Sequence, residues 1–128
     1  MPARRYINLP DRRHNLPFSD AVLVDDTLYL SGRIGLDPQT GLAPDDLDQE
    51  ITLLLDGVRD RDVLAAADMT MDDLAYVQIY CPDLSLFDHF NARYRTYFKG
   101  DLPARAFLGS GKLLRNGRFE VQAIAVRR

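Results

Sequence analysis

Glutamate is nearly missing from this chain. Of 19 acidic residues only Glu50 and Glu120 are glutamates, and the other 17 are aspartates. Glutamate is therefore scarce wherever a general base is sought. Cysteine occurs once, at Cys81, which excludes an intramolecular disulfide and fits a reducing compartment. Beside Pro82 at the end of an apolar run, that thiol reads as a small buried hydrophobe rather than a nucleophile. Histidine occurs only as His14 and His89, with no Cys/His cluster, so no metal is expected. Serine, histidine and aspartate all occur, but no nucleophile-elbow motif joins them. An excess of positive charge is also lacking. The net charge of −3 and pI near 5.2 argue against a general nucleic-acid binder. No apolar run approaches the ~18 to 20 residues that span a bilayer. Met1 to His14 carries arginine pairs, read as solvated, but no apolar core of a secretory signal. A cytoplasmic protein without membrane or nucleic-acid partners is the expectation.

What is present suits one globular domain over residues 1–128, with a hydrophobic fraction of 46%. Tyr6 to Leu9 reads as a short extended segment closed by Pro10, and Asp11 to Leu16 as a loop. Ala21–Val24 and Thr27–Ser31 flank Asp25-Asp26 as a hairpin. Ser31-Gly32 ends the second strand, where glycine permits close approach or a bulge. Asp37 to Gly41 is a turn, with proline fixing one φ and glycine supplying another. Leu47, Ile51, Leu54, Leu55 and Val58 carry helical spacing within a helix from Asp46 to about Ala67, with Asp46 or Asp48 as cap. Gly57 weakens its middle. Leu74 to Cys81 is a strand stopped by Pro82. Ser85 caps a second helix that Lys99-Gly100 ends, with Tyr94, Tyr97 and Phe98 read as core packing. Ala104 to Leu108 is a strand, and Lys112–Leu114 with Phe119–Arg127 form a last hairpin around Asn116-Gly117.

The order βββαβαββ is an α+β mixed sheet with two helices on one face. Leu28, Leu30, Tyr76 and alternate residues of the last strand are assigned to the helix-free face, which further copies of the chain would cover. Within this pattern Arg105 stands at the start of an apolar run, and a buried charge needs a partner. That partner is either one of the many aspartates, as a structural salt bridge, or the carboxylate of a ligand held by two parallel hydrogen bonds.

Leu30-Ser31-Gly32, Asp37-Pro38-Gln39-Thr40-Gly41, Tyr80-Cys81-Pro82-Asp83-Leu84 with Phe87 and Asn91, Pro103-Ala104-Arg105 and Glu120-Val121-Gln122-Ala123-Ile124-Ala125 resemble, in order, the RidA/YjgF family. This family is also called endoribonuclease L-PSP, or reactive-intermediate deaminases. The resemblance covers about Leu16 to Arg127. It implies a chorismate-mutase-like fold and a homotrimer whose sheets line a central barrel, with clefts between subunits. It also implies cofactor-independent hydrolysis of enamines or imines to a 2-keto acid and ammonia. On this pattern Arg105 grips the substrate carboxylate, Ser31 and Gly32 line the cleft, and Asn91 lies beside it.

Three departures qualify the likeness. Gln122 stands immediately before Ala-Ile-Ala, where the pattern implies a water-positioning glutamate, and an amide cannot take a proton. Glu120 shares its strand face two residues earlier, with an interface role as its alternative. Phe18 replaces a tyrosine and keeps only an aromatic wall. Phe107 replaces a smaller residue and reshapes the pocket, leaving its backbone carbonyl as an acceptor for water. The expected activity is deamination of a small 2-imino acid by Arg105 with Gln122 and Glu120, with Phe18, Ser31, Gly32, Asn91 and Phe107 also binding substrate. A non-catalytic trimeric binder of 2-keto acids is the alternative. RNA cleavage, suggested only by the family's label, is disfavoured by the acidic charge and the lack of a suitably placed histidine pair. A diverged hydrolase of a ring-derived or chlorinated amino compound has no specific support.

Overall fold

The computed structural model describes residues 3–10, 15–61 and 63–128. The expectations for the Arg12-Arg13 pair and His14 therefore lie outside the described residues. Six strands form one sheet: β1 (Arg4–Ile7), β2 (Ala21–Val24), β3 (Thr27–Ile34), β4 (Leu74–Cys81), β5 (Ala104–Gly109) and β6 (Glu120–Val126). Their spatial order is β1-β2-β3-β6-β4-β5. All neighbours are antiparallel except β4 and β5, which run parallel and are joined through α3 (Phe87–Tyr94). The other helical segment is α1 (Leu47–Asp56), a π-helical turn at Gly57–Arg61, and α2 (Val63–Ala66). The expected long helix thus changes its winding at Gly57.

Alternation places Leu28, Val77, Ile79, Cys81, Val121, Ala123 and Ala125 on one face, all buried. Ile51, Leu54 and Leu55 of α1 and Phe90 of α3 belong to the same core. Each such aliphatic side chain contributes about 1.5–3 kcal/mol by leaving water. Leu28 and Leu30, expected on the helix-free face, belong instead to this covered face, being 0% and 7% exposed. The open face carries Tyr29, Tyr76, Gln78, Tyr80, Gln122, Ile124 and Val126. Tyr29 and Val126 remain 49% and 42% exposed there.

Four local expectations change. Ser31-Gly32 does not end β3: the register with β6 shifts between Leu30 and Arg33, and the strand continues to Ile34 across a bulge. Asp83, not Ser85, caps the helical segment containing α3, its Oδ1 accepting from Ser85 N at 3.0 Å. That segment's α-helical part stops at Tyr94, and Lys99 and Gly100 instead donate their N–H groups to Asp72. Finally, Lys112–Leu114 forms no strand, because β6, its expected hairpin partner, is already paired on both edges, with β3 and with β4. The turn there has Arg115 and Asn116 at φ 56° and 61°. Gly117 is required for contact rather than torsion, since a Cβ would stand 2.7 Å from Ile34 Cγ2.

Candidate active site

Arg105 pairs with Val77 in the β4–β5 register, which directs it to the helix-covered side of the edge strand. There its guanidinium carbon lies 4.8 Å from the Tyr94 ring centroid, 5.5 Å from Phe107 and 5.6 Å from Phe87. Phe87 and Phe107 meet edge to face at 5.0 Å, and Phe90 backs Phe107 at 5.7 Å. Aromatic faces attract a cation and hold the guanidinium plane. They do not neutralise it, and among the described residues no carboxylate pairs with Arg105. The structural salt bridge considered from sequence is thus not formed. On α3, the Asn91 Oδ1 and Tyr94 hydroxyl are buried, and among the described residues neither makes a hydrogen bond of good geometry. Burial pushes the Tyr94 phenol up to about 12, with Arg105 acting in the opposite direction. The Tyr94 hydroxyl lies close enough to Arg105 for the guanidinium to favour the phenolate by charge and by a side-chain hydrogen bond, so Asn91 Oδ1 is the atom left to account for, an unpaired buried polar atom costing about 1–3 kcal/mol.

A second group forms at the β3 bulge. Ser31 Oγ donates to the Ser19 carbonyl at 2.6 Å, and Ser31 N to the Asp20 carbonyl at 3.0 Å. These bonds hold the segment bearing the half-exposed Phe18 against the bulge. Glu120 crosses Gly32 so closely that a Cβ there would stand 2.3 Å from Glu120 Oε2. Burial raises the Glu120 carboxyl above the usual carboxylate range. Gln122 shares this face but is engaged elsewhere: Tyr80 Oη donates to its Oε1 at 3.1 Å, in a chain that continues through Gln78 to Tyr76.

The sequence-derived residues therefore fall into two groups. Arg105 and Phe107 meet between β5 and α3, and Asn91 lies on α3 one turn from Phe87 and Tyr94. Ser31, Gly32 and Glu120 gather at the bulge, with Phe18 close in sequence to Ser19. Three strand spacings, roughly 14 Å, separate β3 from β5. Glu120 and Arg105 also project from opposite faces of the sheet, so one chain cannot bring both onto one small molecule. Sequence reasoning missed the part played by Tyr94, whose helical spacing marks a core residue and carries no sign of the cation above it.

A separate cleft of about 350 Å³ is lined by Asp48, His89, Ala92 and Arg93. His89 Nε2 lies 2.6 Å from Asp48 Oδ1, which lowers the Asp48 pKa. None of the proposed site residues lines it. Among the described residues no group of three or more His, Cys, Asp or Glu could hold a metal ion. Cys81 is buried, its Sγ lies 3.1 Å from the Asp83 carbonyl, and burial raises its thiol pKa, so it is not poised as a nucleophile. Among the same residues no helix is long and apolar enough to cross a membrane.

Known proteins share this architecture. The sequence profile of the family described as Endoribonuclease L-PSP matches residues 12–127. The 2-iminobutanoate/2-iminopropanoate deaminase of Mus musculus is 39% identical over 86% of this chain and 81% of its own. Its Homo sapiens counterpart is 34% identical over 86% and 80%. Among solved structures, YyfA of the conserved Rid protein family from Yersinia pestis superimposes with a TM-score of 0.85 at 28% identity, covering 98% of this chain and all of that one. E. coli TdcF with bound serine gives 0.80 at 28% identity, covering 88% and 89%. With the profile spanning nearly the whole chain, and with the fold and the ordered motifs in agreement, this protein belongs to the RidA/YjgF family.

Proposed function

We propose that this protein is an imine deaminase that hydrolyses a small 2-imino acid to the 2-keto acid and ammonia, in clefts formed between copies of a homotrimer. The observation that carries this reading is the Arg105 guanidinium, framed by three aromatic rings and left without a carboxylate of its own. A substrate carboxylate completes it by a charge-assisted, bidentate pair. The names of the mammalian relatives support the reaction class. TdcF with bound serine supports an amino-substituted carboxylate as the ligand type.

The carbon of a protonated imine is already electrophilic, so the protein need only orient it, deliver one water and move protons. Arg105 holds the carboxylate, and Asn91 Oδ1 stands ready to accept from the nitrogen. Glu120, across the cleft from a neighbouring copy, takes a proton as the water oxygen bonds to C2. Glu120 returns that proton to the amine and then accepts the hydroxyl proton as the C–N bond breaks with its electron pair on nitrogen, the C–O bond becomes the ketone, and the proton leaves with the ammonia as ammonium. One water is consumed and one ammonia released. Glu120 fits this role better than Gln122, because it is a carboxylate, is half-buried, and lies against Gly32. Phe18, Ser31 and Gly32 supply the wall beside it, and the Phe107 carbonyl is a second acceptor for the water. The separation of the two residue groups within one chain supports a cleft built from two copies.

The test is ammonia and keto-acid release from imino acids generated in situ by an amino-acid oxidase, against the uncatalysed rate. Acceleration by wild type that is lost in Arg105→Ala is the expected result. Saturable, Arg105-dependent keto-acid binding without acceleration would replace the enzyme by a binder.

A further inference from the structure

Glu50 is one of only two glutamates and is 0% exposed, yet the chemistry above does not use it. Its Oε2 accepts the backbone N–H of Arg118 at 2.6 Å and of Phe119 at 3.3 Å. Its Oε1 accepts Arg118 Nε at 2.6 Å, and the same guanidinium donates to the Pro44 carbonyl at 2.6 Å. A buried carboxylate with three donors is compensated rather than orphaned. The residue that follows this grip in the chain is Glu120. From the other side, Gly35 seats the end of β3 on the same turn of α1. A Cβ there would lie 2.2 Å from the Glu50 carbonyl oxygen and 2.9 Å from Leu54 N. The two strands pair at Ile34 and Glu120. One turn of α1 thus anchors both the strand that carries Gly32 and the strand that carries Glu120.

We infer that Glu50 is a positioning residue, whose carboxylate grips the N–H groups of Arg118 and Phe119 and thereby fixes the start of β6 so that Glu120 stands over Gly32. The inference rests on the role given to Glu120 above. Glutamine cannot substitute, because it offers one acceptor oxygen and sets an NH₂ donor against the donors it must satisfy. Arg105 sits on β5 against α3 and its three rings, outside this grip. Loss of Glu50 therefore acts on turnover rather than on carboxylate binding.

The experiment compares wild type, Glu50→Gln, Glu50→Gln with Arg118→Leu, and Glu120→Gln in the full chain. Each is measured for kcat, KM and Tm on the same imino acid. Removing both members of a buried ion pair is far less disruptive than removing one, so the double variant regains Tm and carries the test even where the single variant folds poorly. The expected result is a kcat about tenfold below wild type in the double variant, as a small misplacement of a reacting group produces. Its KM stays within about twofold. A kcat that returns with Tm, while Glu120→Gln alone is impaired, would overturn the role of Glu50 and leave that of Glu120 standing. A Glu120→Gln variant with wild-type kcat would overturn both, and would place the failure at Glu120.

Discussion

Arg105 is held by rings and not by a counter-charge, which decides what its replacements will do. Lysine keeps the charge but loses the planar fork and the stacking. Arg105→Lys is expected to lower kcat/KM by roughly tenfold to a hundredfold, the equivalent of one charge-assisted bond of ~1.5–3 kcal/mol. Steady-state kinetics on an imino acid checks this. Glu120 gives a prediction in the other direction. Burial raises its pKa, so the folded chain holds this proton to higher pH than the unfolded chain. Stability then falls as pH rises from the unfolded value through the folded one. Glu120→Gln should therefore raise Tm at neutral pH, and the gain should vanish below the ordinary carboxylate range. Melting curves from pH 3.5 to 7.5 test it. The presence of an arginine needing a partner was legible in Pro103-Ala104-Arg105. Which of Glu120 and Gln122 meets the cleft was not. They share a face by parity alone, and the choice between them depends on where β3 bulges against β6.

Among the elements, the bulge in β3 is the one on which the site turns. Gly32 was noticed in the sequence as a place where backbones approach, and the group that approaches is the Glu120 side chain. A methyl group at this position has no room beside Oε2. Gly32→Ala is expected to displace Glu120 and reduce kcat by at least about tenfold, with the far-ultraviolet circular dichroism unchanged. An unchanged kcat would show that the carboxylate works from another position. Most strands were legible because alternation marks them: Leu74–Cys81 reads directly from its pattern. The expected strand at Lys112–Leu114 failed because a short apolar stretch has no strand identity without a neighbour, and β6 has both its edges taken by β3 and β4. The cap at Asp83 was missed for a similar reason, since Asp83 and Ser85 are both good capping residues and only geometry separates them. Glu50 did leave a signal, standing between Leu47 and Leu54 on the apolar face of its helix, where a carboxylate belongs only if something inside needs it.

At the level of the whole molecule, the proposed cleft joins two groups that lie on opposite sides of one sheet and so needs more than one copy to complete it. The open face, with Tyr29 and Val126 half-exposed around the Tyr76–Gln78–Tyr80–Gln122 chain, gives those copies a surface to share. The sequence reading left one sheet face free of helices but made it too apolar, because Leu28 and Leu30 lie on the other side and the open face carries the hydrogen-bonded Gln78 and Gln122. The central claim is that Arg105 and Glu120 act on one substrate from different chains. Mixing inactive chains tests it most directly. Arg105→Ala and Glu120→Gln subunits are co-expressed in equal amounts with different tags, the mixed assemblies are purified, and imino-acid hydrolysis is measured. In a mixed trimer of either composition, each cleft drawing one group from each of two copies, one cleft in three regains both residues. Recovery of about a third of wild-type activity is the expected result. Mixed assemblies as inactive as either parent would contradict the claim and place both residues in the cleft of a single chain.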